Sequence, residues 1–217
     1  MYMEYALDLP VRDVLKHMQN RIMTQTTYFG VEALKSPMDA WIYQEIIFET
    51  KPDVLVEIGN SSGGGILQLA HLCDLLQKGR VIGIDITHAK VPPVVRSHHR
   101  ITLIESDACA AVTKVSSLIQ PDERVLIIED SAHTFDNTLN VLRAYQHFVK
   151  PGDYFIVEDG ICWHGLDLGP KPGPYEAIEA FVAENRDFQV DRTKESFFLT
   201  WNPKGFLKRV RNEHVNK

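Results

Sequence analysis

The fold of this chain is decided by the stretch Val54-Leu-Val-Glu57-Ile-Gly59-Asn60-Ser61-Ser-Gly-Gly64-Gly, in which an apolar run ends in a glycine-rich turn. The run predicts a buried strand, and glycines after it let backbone N–H groups approach a ligand at the start of the next helix. The spacing matches neither the dinucleotide pattern G-x-G-x-x-G nor a phosphate-binding loop ending in Gly-Lys-Ser/Thr. An acid before the first glycine would repel a pyrophosphate but suits an ammonium or sulfonium group. A tight turn without a ligand explains this motif alone equally well.

Outward from this turn, short runs rich in Val and Ile alternate with helical stretches. The predicted strands are 53–58, 80–85, 100–105, 123–129 and 153–158, and the predicted helices between them are 63–77, 91–97, 108–119 and 135–149. Such runs are typical of a parallel sheet covered on both faces. Acidic residues mark the strand ends: Glu57, Asp85, Asp107, the pair Glu129-Asp130 and the pair Glu158-Asp159. Ligands bind at the carboxyl ends of strands in these sheets, so these acids are candidates to face one.

The part of the chain after the fifth predicted strand is less regular. Residues 160–174 contain four glycines and three prolines, which predicts a long loop that is either a functional lid or disordered. A helix over 175–185 follows, and the runs 188–192 and 196–201 predict an antiparallel hairpin at one sheet edge. The basic run from Lys204 to Arg211 is interpreted as a solvated end.

Two helices, 11–25 and 37–50, are predicted ahead of the first strand, the second with Ser36 as N-cap and Pro37 in the first turn. We therefore divide the chain into an N-terminal helical part, 1–50, on the acceptor side or at an oligomer contact, and a main domain, 51–217. The apolar residues Val14, Leu15, Met18 and Ile22 recur at helical spacing and form either a core face or a subunit contact, with core favoured.

Composition restricts the class of protein. The 217 residues, 44% hydrophobic, fit one α/β domain with a sizeable core. A net charge of −6 and a pI near 5.8 argue against a nucleic-acid surface. Three widely spaced cysteines predict a reducing compartment, the cytoplasm, without disulfides. The acidic N-terminus is unlike a signal peptide, and no run approaches the roughly 18 apolar residues of a membrane span.

Acids after the second and third predicted strands suggest a nucleoside site. Asp85 lies 26 residues beyond Gly59, where a carboxylate accepts both hydroxyls of a ribose in NAD and S-adenosylmethionine sites alike. Ser106 and Asp107 are placed to reach the amine of an adenine, although a helix N-cap pair is the simpler interpretation of these two alone.

A second group of acids follows strands that should be neighbours. Asp130, Glu158 and Asp159 would converge there, and clustered carboxylates repel unless one is protonated or a cation lies among them. Carboxylate oxygens suit Mg²⁺, which keeps open positions for a substrate oxygen. The alternative is that these acids cap helices or form salt bridges at the rim.

Histidines near these acids are candidate bases. His133, three residues beyond Asp130, is the first candidate, since a histidine titrates near neutrality and this one lies at a strand's carboxyl end. His164 in the long loop is the second candidate, and the pair His98-His99 is predicted to be solvated.

Taken together, these motifs resemble class I S-adenosylmethionine-dependent methyltransferases, and more narrowly the cephalosporin hydroxylase family with its rhamnosyl and macrolide-sugar O-methyltransferases. The resemblance runs from about Lys35 to the segment after Pro203. It implies a Rossmann-like α/β fold: a mostly parallel seven-stranded sheet with an antiparallel C-terminal hairpin and helices on both faces.

The resemblance also implies roles for individual residues. The cofactor-binding set is Glu57, Gly59, Asn60, Ser61, Gly64, Asp85, Ile86, Ser106, Asp107 and Asp130. The Mg²⁺ ligands correspond to Asp130, Glu158 and Asp159, and the general base corresponds to His133. Relatives of this kind often associate, so a homo-oligomer is expected.

The implied activity is Mg²⁺-dependent methyl transfer from S-adenosylmethionine to a hydroxyl of a sugar or another polyhydroxylated small molecule. A vicinal diol fits two open positions on a metal ion, whereas the family's acceptor loops vary and do not identify the acceptor. Hydroxylation of a small-molecule scaffold ranks lower, because the sequence reveals no two-histidine, one-carboxylate iron motif. A third alternative is a non-catalytic nucleotide-binding module. Such a module would not need the second charged cluster, which consists of Asp130, His133, Glu158 and Asp159.

Overall fold

A computed structural model describes residues 2–210 of the chain. Its helices are α1 (Val11–Gln25), α2 (Pro37–Thr50), α3 (Gly64–Leu76), α4 (Pro93–Arg96), α5 (Ala108–Leu118), α6 (Phe135–Tyr145) and α7 (Pro174–Glu184). Its strands are β1 (Thr27–Tyr28), β2 (Val31–Glu32), β3 (Val54–Ile58), β4 (Arg80–Asp85), β5 (Ile101–Glu105), β6 (Val125–Glu129), β7 (Tyr154–Val157), β8 (Phe188–Val190) and β9 (Phe206–Arg209). The helices and the five parallel strands confirm the sequence predictions to within a few residues.

The main sheet has seven strands in the order β5-β4-β3-β6-β7-β9-β8. The first five are parallel, and β9 runs antiparallel to both of its neighbours. The order reverses after β3, which pairs with β4 on one side and β6 on the other, so the predicted ligand site lies at this switch point. The predicted mostly parallel, seven-stranded fold is confirmed.

Helices cover both faces of the sheet. Residues of α5, α6 and α7 form one apolar core with the sheet, and residues of α2, α3 and α4 form the other. Ile46, Ile47, Val115 and Phe181 are at most 1% exposed in these cores. Each such side chain contributes on the order of 1.5–3 kcal/mol to folding by its removal from water.

The start of α2 follows the predicted capping pattern. The backbone N–H of Asp39 donates to Ser36 Oγ at 3.4 Å, and Pro37 occupies the first turn. The Asp39 carboxylate is buried and accepts a hydrogen bond from the backbone N–H of Trp201 at 2.8 Å. This bond ties the N-terminal part of the chain to its C-terminal part.

The predicted C-terminal hairpin is correct in one strand and wrong in the other. Strand β8 pairs with Phe206–Arg209, whereas residues 196–201 form turns. The apolar residues of 196–201 have another role, since Trp201 packs with Leu15 and Ile22 of α1, and Phe198 has a left-handed φ of 66°. A strand cannot continue through such a backbone.

The basic run after Lys204 is likewise not a solvated end within the described residues. Phe206 and Leu207 are fully buried, and β9 lies between β7 and β8 inside the sheet. The guanidinium of Arg209 donates to the carbonyl oxygen of Val149 at 2.7 Å, so its charge is satisfied at the strand's end. The last residue of the predicted run, Arg211, lies outside the described residues.

The long loop is packed against the N-terminal helix. Ile161 and Leu166 form a small apolar cluster with Leu15, Ile22 and Trp201, and Met18 packs against it. The apolar face of α1 is therefore a core face, as favoured. Within residues 2–210, none of the helices has the length and apolar character needed to cross a bilayer.

Candidate active site

A cavity of about 420 Å³ opens at the carboxyl ends of the parallel strands. Ten of the thirteen predicted site residues line it: Gly59, Asn60, Ser61, Asp85, Ile86, Ser106, Asp107, Asp130, His133 and Asp159. The other three, Glu57, Gly64 and Glu158, lie behind its wall. The topology thus brings the predicted nucleoside acids and the predicted base to one place.

The turn between β3 and α3 is held by Asp85. Its Oδ2 accepts hydrogen bonds from the backbone N–H groups of Asn60 at 2.8 Å and Ser61 at 2.9 Å. Gly59 has φ of 91°, and a methyl group there would overlap the carbonyl oxygen of Asp130. This glycine is needed because the turn passes directly against the end of β6.

The glycines at the start of α3 serve a purpose that the sequence did not indicate. A side chain at Gly64 would overlap the carbonyl oxygen of Glu32, and one at Gly65 would lie 2.8 Å from Glu57 Oε1. The segment 32–35 therefore packs directly on the helix start and forms part of the cavity wall. Gly64 makes room for this segment and does not face the cavity.

The far end of the cavity carries the predicted adenine-side residues. Ile86 is 76% exposed at its rim, a large apolar surface next to Asp85. Asp107 caps α5 by accepting from the backbone N–H of Ala110 at 3.0 Å through Oδ1, the N-cap role that the sequence allowed. Its Oδ2 makes none of the hydrogen bonds found in the described residues, so a ligand amine could bind there.

Lys35 is the main residue that sequence reasoning missed. Its Nζ lies 2.5 Å from Asp130 Oδ2, 2.6 Å from Glu158 Oε1 and 2.8 Å from Glu57 Oε1, and its side chain is only 12% exposed. Burial alone would lower the pKa of Lys35, but the three carboxylate charges outweigh burial and hold that pKa well above its usual value. Lys35 is therefore a buried ammonium among three acids.

Asp130 and Glu158, which contact Lys35, have shifted pKa values. Burial raises the pKa of Asp130 to about 6 despite its contact with Lys35. Burial, together with the charge of Asp130, raises the pKa of Glu158 well above its ordinary value. One positive charge thus does not fully compensate three acids in this partly buried setting, so either a proton or a further cation would stabilise the cluster.

A second group shares Asp130 and faces the cavity. His133 lies between two acids, with Nδ1 3.2 Å from Asp159 Oδ2 and Nε2 3.9 Å from Asp130 Oδ1. Both His133, with φ of 55°, and Asp159, with φ of 57°, have left-handed backbones. Such conformations are uncommon outside glycine and often mark functional sites.

The three predicted metal ligands do not form one cluster. Within residues 2–210, Asp130 groups with Glu57 and Glu158 around Lys35, and separately with His133 and Asp159, in each case with ligand atoms within 4.8 Å of one another. The sequence prediction did not include the ammonium group of Lys35. In the structure this group, and not a metal ion, compensates the negative charge of Glu158. The donors that face the cavity, Asp130 and Asp159, still fit a hard cation such as Mg²⁺.

Glu129, the first member of an acidic pair, is turned away from the cavity. It is 2% exposed, and its Oε1 accepts from Ser131 Oγ at 2.6 Å and from the Asn137 side chain at 3.2 Å. Burial raises its pKa to about 8. Ser131 and Asn137 line the cavity, so Glu129 orients the two polar groups in front of it.

Five of the wall residues that sequence reasoning missed come from the N-terminal part: Met23, Glu32, Ala33, Leu34 and Lys35. They precede the first predicted strand, and no glycine or acid pattern distinguishes them. Only the pairing of β1 with β2 and the packing of the following segment on α3 bring them to the cavity.

The second candidate base, His164, lies apart from the cavity lining. Its ring stacks on Tyr175 with centroids 3.6 Å apart, and Nε2 is 2.9 Å from Glu176 Oε1. These contacts fix the loop against the start of α7. They leave His133 as the candidate base that faces the cavity.

A two-histidine, one-carboxylate group does exist elsewhere in the structure. Asp74, His98 and His99 meet at the amino end of β5, with His98 mostly buried and His99 exposed. The Asp74 carboxylate is also paired with the guanidinium of Arg100. This group lies at the sheet edge opposite the cavity, and its acid already has a cationic partner.

Known proteins resemble the chain over most of its length. The family model described as Rhamnosyl O-methyltransferase/CmcI matches residues 20–210. The Rhamnosyl O-methyltransferase of Mycobacterium tuberculosis (strain ATCC 25618 / H37Rv) is 32% identical over 200 residues, which cover 89% of this chain and 81% of that protein. The protein of the same name from Mycobacterium leprae (strain TN) is 33% identical over 196 residues, 87% of this chain and 85% of that protein.

Solved structures agree with these relatives. A CmcI structure described with Mg and SAM has a TM-score of 0.65 at 27% identity, covering 86% of this chain and 77% of that one. A CmcI structure with SAH has a TM-score of 0.64 at 25% identity, covering 86% and 83%. The predicted cofactors, S-adenosylmethionine and Mg²⁺, are those of the first structure. The chain belongs to the Rhamnosyl O-methyltransferase/CmcI family of S-adenosylmethionine-dependent O-methyltransferases, as its sequence motifs predicted.

Proposed function

We propose that this enzyme transfers a methyl group from S-adenosylmethionine to a hydroxyl of a sugar or similar polyhydroxylated small molecule, with Mg²⁺ as a second cofactor. A rhamnosyl glycoside is the first candidate acceptor, because the curated relatives are named Rhamnosyl O-methyltransferase. The observation that carries the proposal is the group of Asp130, His133 and Asp159 on the wall of the cavity that Asp85 and the β3–α3 turn also line.

The chemistry of the cavity wall supports the following arrangement of the cofactor. Asp85 Oδ1, which accepts from the backbone N–H of Thr87 at 3.3 Å, would also accept from the ribose hydroxyls, since Oδ2 already accepts from two backbone N–H groups. Ile86 would cover one face of the adenine, and Asp107 would accept from its amine. The turn at Gly59 to Ser61 would hold the methionine end, on the part of the wall that also includes Asp130 and His133.

Asp130, Glu158 and Asp159 would hold Mg²⁺, which when bound lowers the pKa of an acceptor hydroxyl and fixes its direction. His133 would remove the hydroxyl proton at Nε2 as the oxygen attacks the methyl group, and the bond from that methyl group to the cofactor's sulfur would break to leave S-adenosylhomocysteine. The Asp159 carboxylate, 3.2 Å from Nδ1, would stabilise the imidazolium that forms. The methyl group is already activated in the cofactor, so positioning supplies much of the rate enhancement.

The N-terminal part, 1–50, is proposed to form the acceptor side of the cavity, with 51–217 as the catalytic domain. Met23, Glu32 and Leu34 support this division because they line the cavity opposite the strand ends. We also propose a homo-oligomer, supported by exposed apolar side chains such as Phe29 and Leu75, each 82% exposed. The proposed compartment is the cytoplasm, as three widely spaced cysteines favour a reducing one.

Calorimetric titration with S-adenosylmethionine, in Mg²⁺ and in EDTA, with NADH as the comparison ligand, tests the cofactor. Methyl transfer is then measured to a rhamnosyl glycoside and to the matching deoxy-glycoside that lacks the neighbouring hydroxyl. We expect S-adenosylmethionine alone to bind and the diol to be the better acceptor, with activity lost in EDTA. Binding of NADH alone, or equal activity in EDTA, would contradict the proposal.

A further inference from the structure

Lys35 lies among the acids that the family resemblance assigns to Mg²⁺. Its ammonium contacts Asp130 and Glu158, two of the three proposed Mg²⁺ ligands, at 2.5 and 2.6 Å. The third proposed ligand, Asp159, instead faces His133. The contacts of Lys35 thus hold Glu158 apart from the pair that faces the cavity.

Charge and geometry make the ammonium and a divalent cation competitors for the same carboxylates. Glu158 is buried and its Oε1 is paired with Lys35, so an ion bound by all three acids would lie close to the ammonium unless the ammonium moves away from Glu158. Two cations that share one carboxylate would repel each other strongly in this partly buried setting. Lys35 therefore opposes metal binding in two ways. Its positive charge repels the metal ion, and its contact with Glu158 occupies one of the proposed ligands.

The displaced ammonium has another partner close by. Glu57, which is not among the proposed metal ligands, lies 2.8 Å from Lys35 Nζ and is 1% exposed. A small shift towards Glu57 would release Glu158 and Asp130 without leaving a buried charge unpaired.

We infer that Lys35 is a built-in counter-cation that occupies the acid cluster of the metal-free enzyme and must be displaced towards Glu57 when Mg²⁺ binds. It lowers the affinity for Mg²⁺ and at the same time stabilises the metal-free protein. Lys35 belongs to segment 32–35, which is part of the cavity wall. A displacement of the Lys35 side chain therefore also changes the wall on the acceptor side. The inference rests on the proposed function, since it concerns the same metal site.

The test is a titration with MgCl₂ alone, followed by calorimetry, and thermal unfolding in MgCl₂ and in EDTA. The variants are Lys35→Met and, as a matched control, Lys171→Met, which removes an exposed lysine that lies over the Trp163 ring. We expect Lys35→Met to bind Mg²⁺ at least about tenfold more tightly than wild type. We also expect it to have a lower Tm in EDTA and a larger rise in Tm with MgCl₂, and the control to behave as wild type.

A charge-balanced pair of variants keeps the test decisive if Lys35→Met does not fold. The double variant Lys35→Met/Glu57→Gln removes one charge of each sign, and it should bind Mg²⁺ more tightly than Glu57→Gln alone. Equal or weaker Mg²⁺ binding without Lys35 would overturn the inference and leave the proposed function intact. Binding of S-adenosylmethionine with no Mg²⁺ binding by any variant would overturn both this inference and the metal part of the proposed function.

Discussion

Replacing His133 with alanine tests the proposed chemistry most directly. The imidazole lies between Asp159 and Asp130 at 3.2 and 3.9 Å, so its removal deletes the proposed base and leaves both acids in place. Cofactor binding through Asp85 and the β3–α3 turn involves other residues. The variant should therefore lose turnover while it still binds S-adenosylmethionine and Mg²⁺.

The expected decrease in kcat depends on the site residues that remain in the variant. A positioned general base contributes about 100- to 10,000-fold to a rate. Since Asp130 and Asp159 would still place the acceptor, we expect the lower part of that range, about 100- to 1,000-fold in kcat. This corresponds to about 2.7–4 kcal/mol in the activation free energy. The assay is the initial rate of methyl transfer to a rhamnosyl glycoside at saturating cofactor.

Two controls separate the loss of a base from other damage. His133→Asn keeps a residue that tolerates the left-handed backbone at φ of 55° and should be as slow as the alanine variant. His164→Ala removes the histidine that pairs with Glu176 outside the cavity lining and should keep most of the activity. Turnover of His133→Ala within about threefold of wild type, with cofactor binding intact, would refute the assignment of the base.

Three further predictions concern the turn, an ion pair and the cofactor. Gly59→Ala should lower the free energy of unfolding in urea by about 2–5 kcal/mol, because φ is 91° and the methyl would overlap the Asp130 carbonyl; an unchanged midpoint would contradict this. The hydrogen bond from Arg80 lowers the pKa of Glu123, so that its stabilisation is present above the unfolded value of 4.5 and is lost as the pH falls through the folded one. Glu123→Gln should therefore cost about 1–2 kcal/mol at pH 7 and progressively less as the pH falls further below 4.5, and a cost that does not change with pH would be the contrary result. Asp85→Asn should weaken S-adenosylmethionine binding about 10- to 100-fold in calorimetry with Mg²⁺ binding preserved, whereas unaltered affinity would exclude the ribose role.

The parallel part of the fold could be predicted because its signals are local. Runs such as Val54 to Ile58 are buried on both faces, so they read as unbroken apolar segments. Strand β9 could not be found this way, because Lys208 and Arg209 give it the composition of a solvated tail. Their charged groups have partners within the fold, with Lys208 Nζ 5.2 Å from the centre of the Tyr154 ring and the Arg209 guanidinium bonded to the Val149 carbonyl.

The candidate site likewise contains residues that the sequence could predict and residues that it could not. Acids such as Asp85 and Asp130 are fixed by their positions at strand ends, and parallel topology brings strand ends together. Lys35 belongs to no strand end, and its contacts join residues 95 and 123 positions away in sequence. Nothing in its neighbourhood in the sequence indicates those partners, so the separation of Glu158 from Asp159 could only be seen in three dimensions.

The position of β9 sets an order for the assembly of the enzyme during synthesis. It follows both of its neighbours in sequence, so β7 keeps an open edge until residues 206–209 have left the ribosome. The same late segment supports the acids after β7, since the backbone N–H of Asp159 donates to Asn202 Oδ1 at 3.2 Å and that of Val157 donates to the Gly205 carbonyl at 2.8 Å. A nascent chain that ends before residue 202 thus contains every proposed catalytic residue without the support that places Asp159, and methyl transfer would begin only once the last strand is inserted.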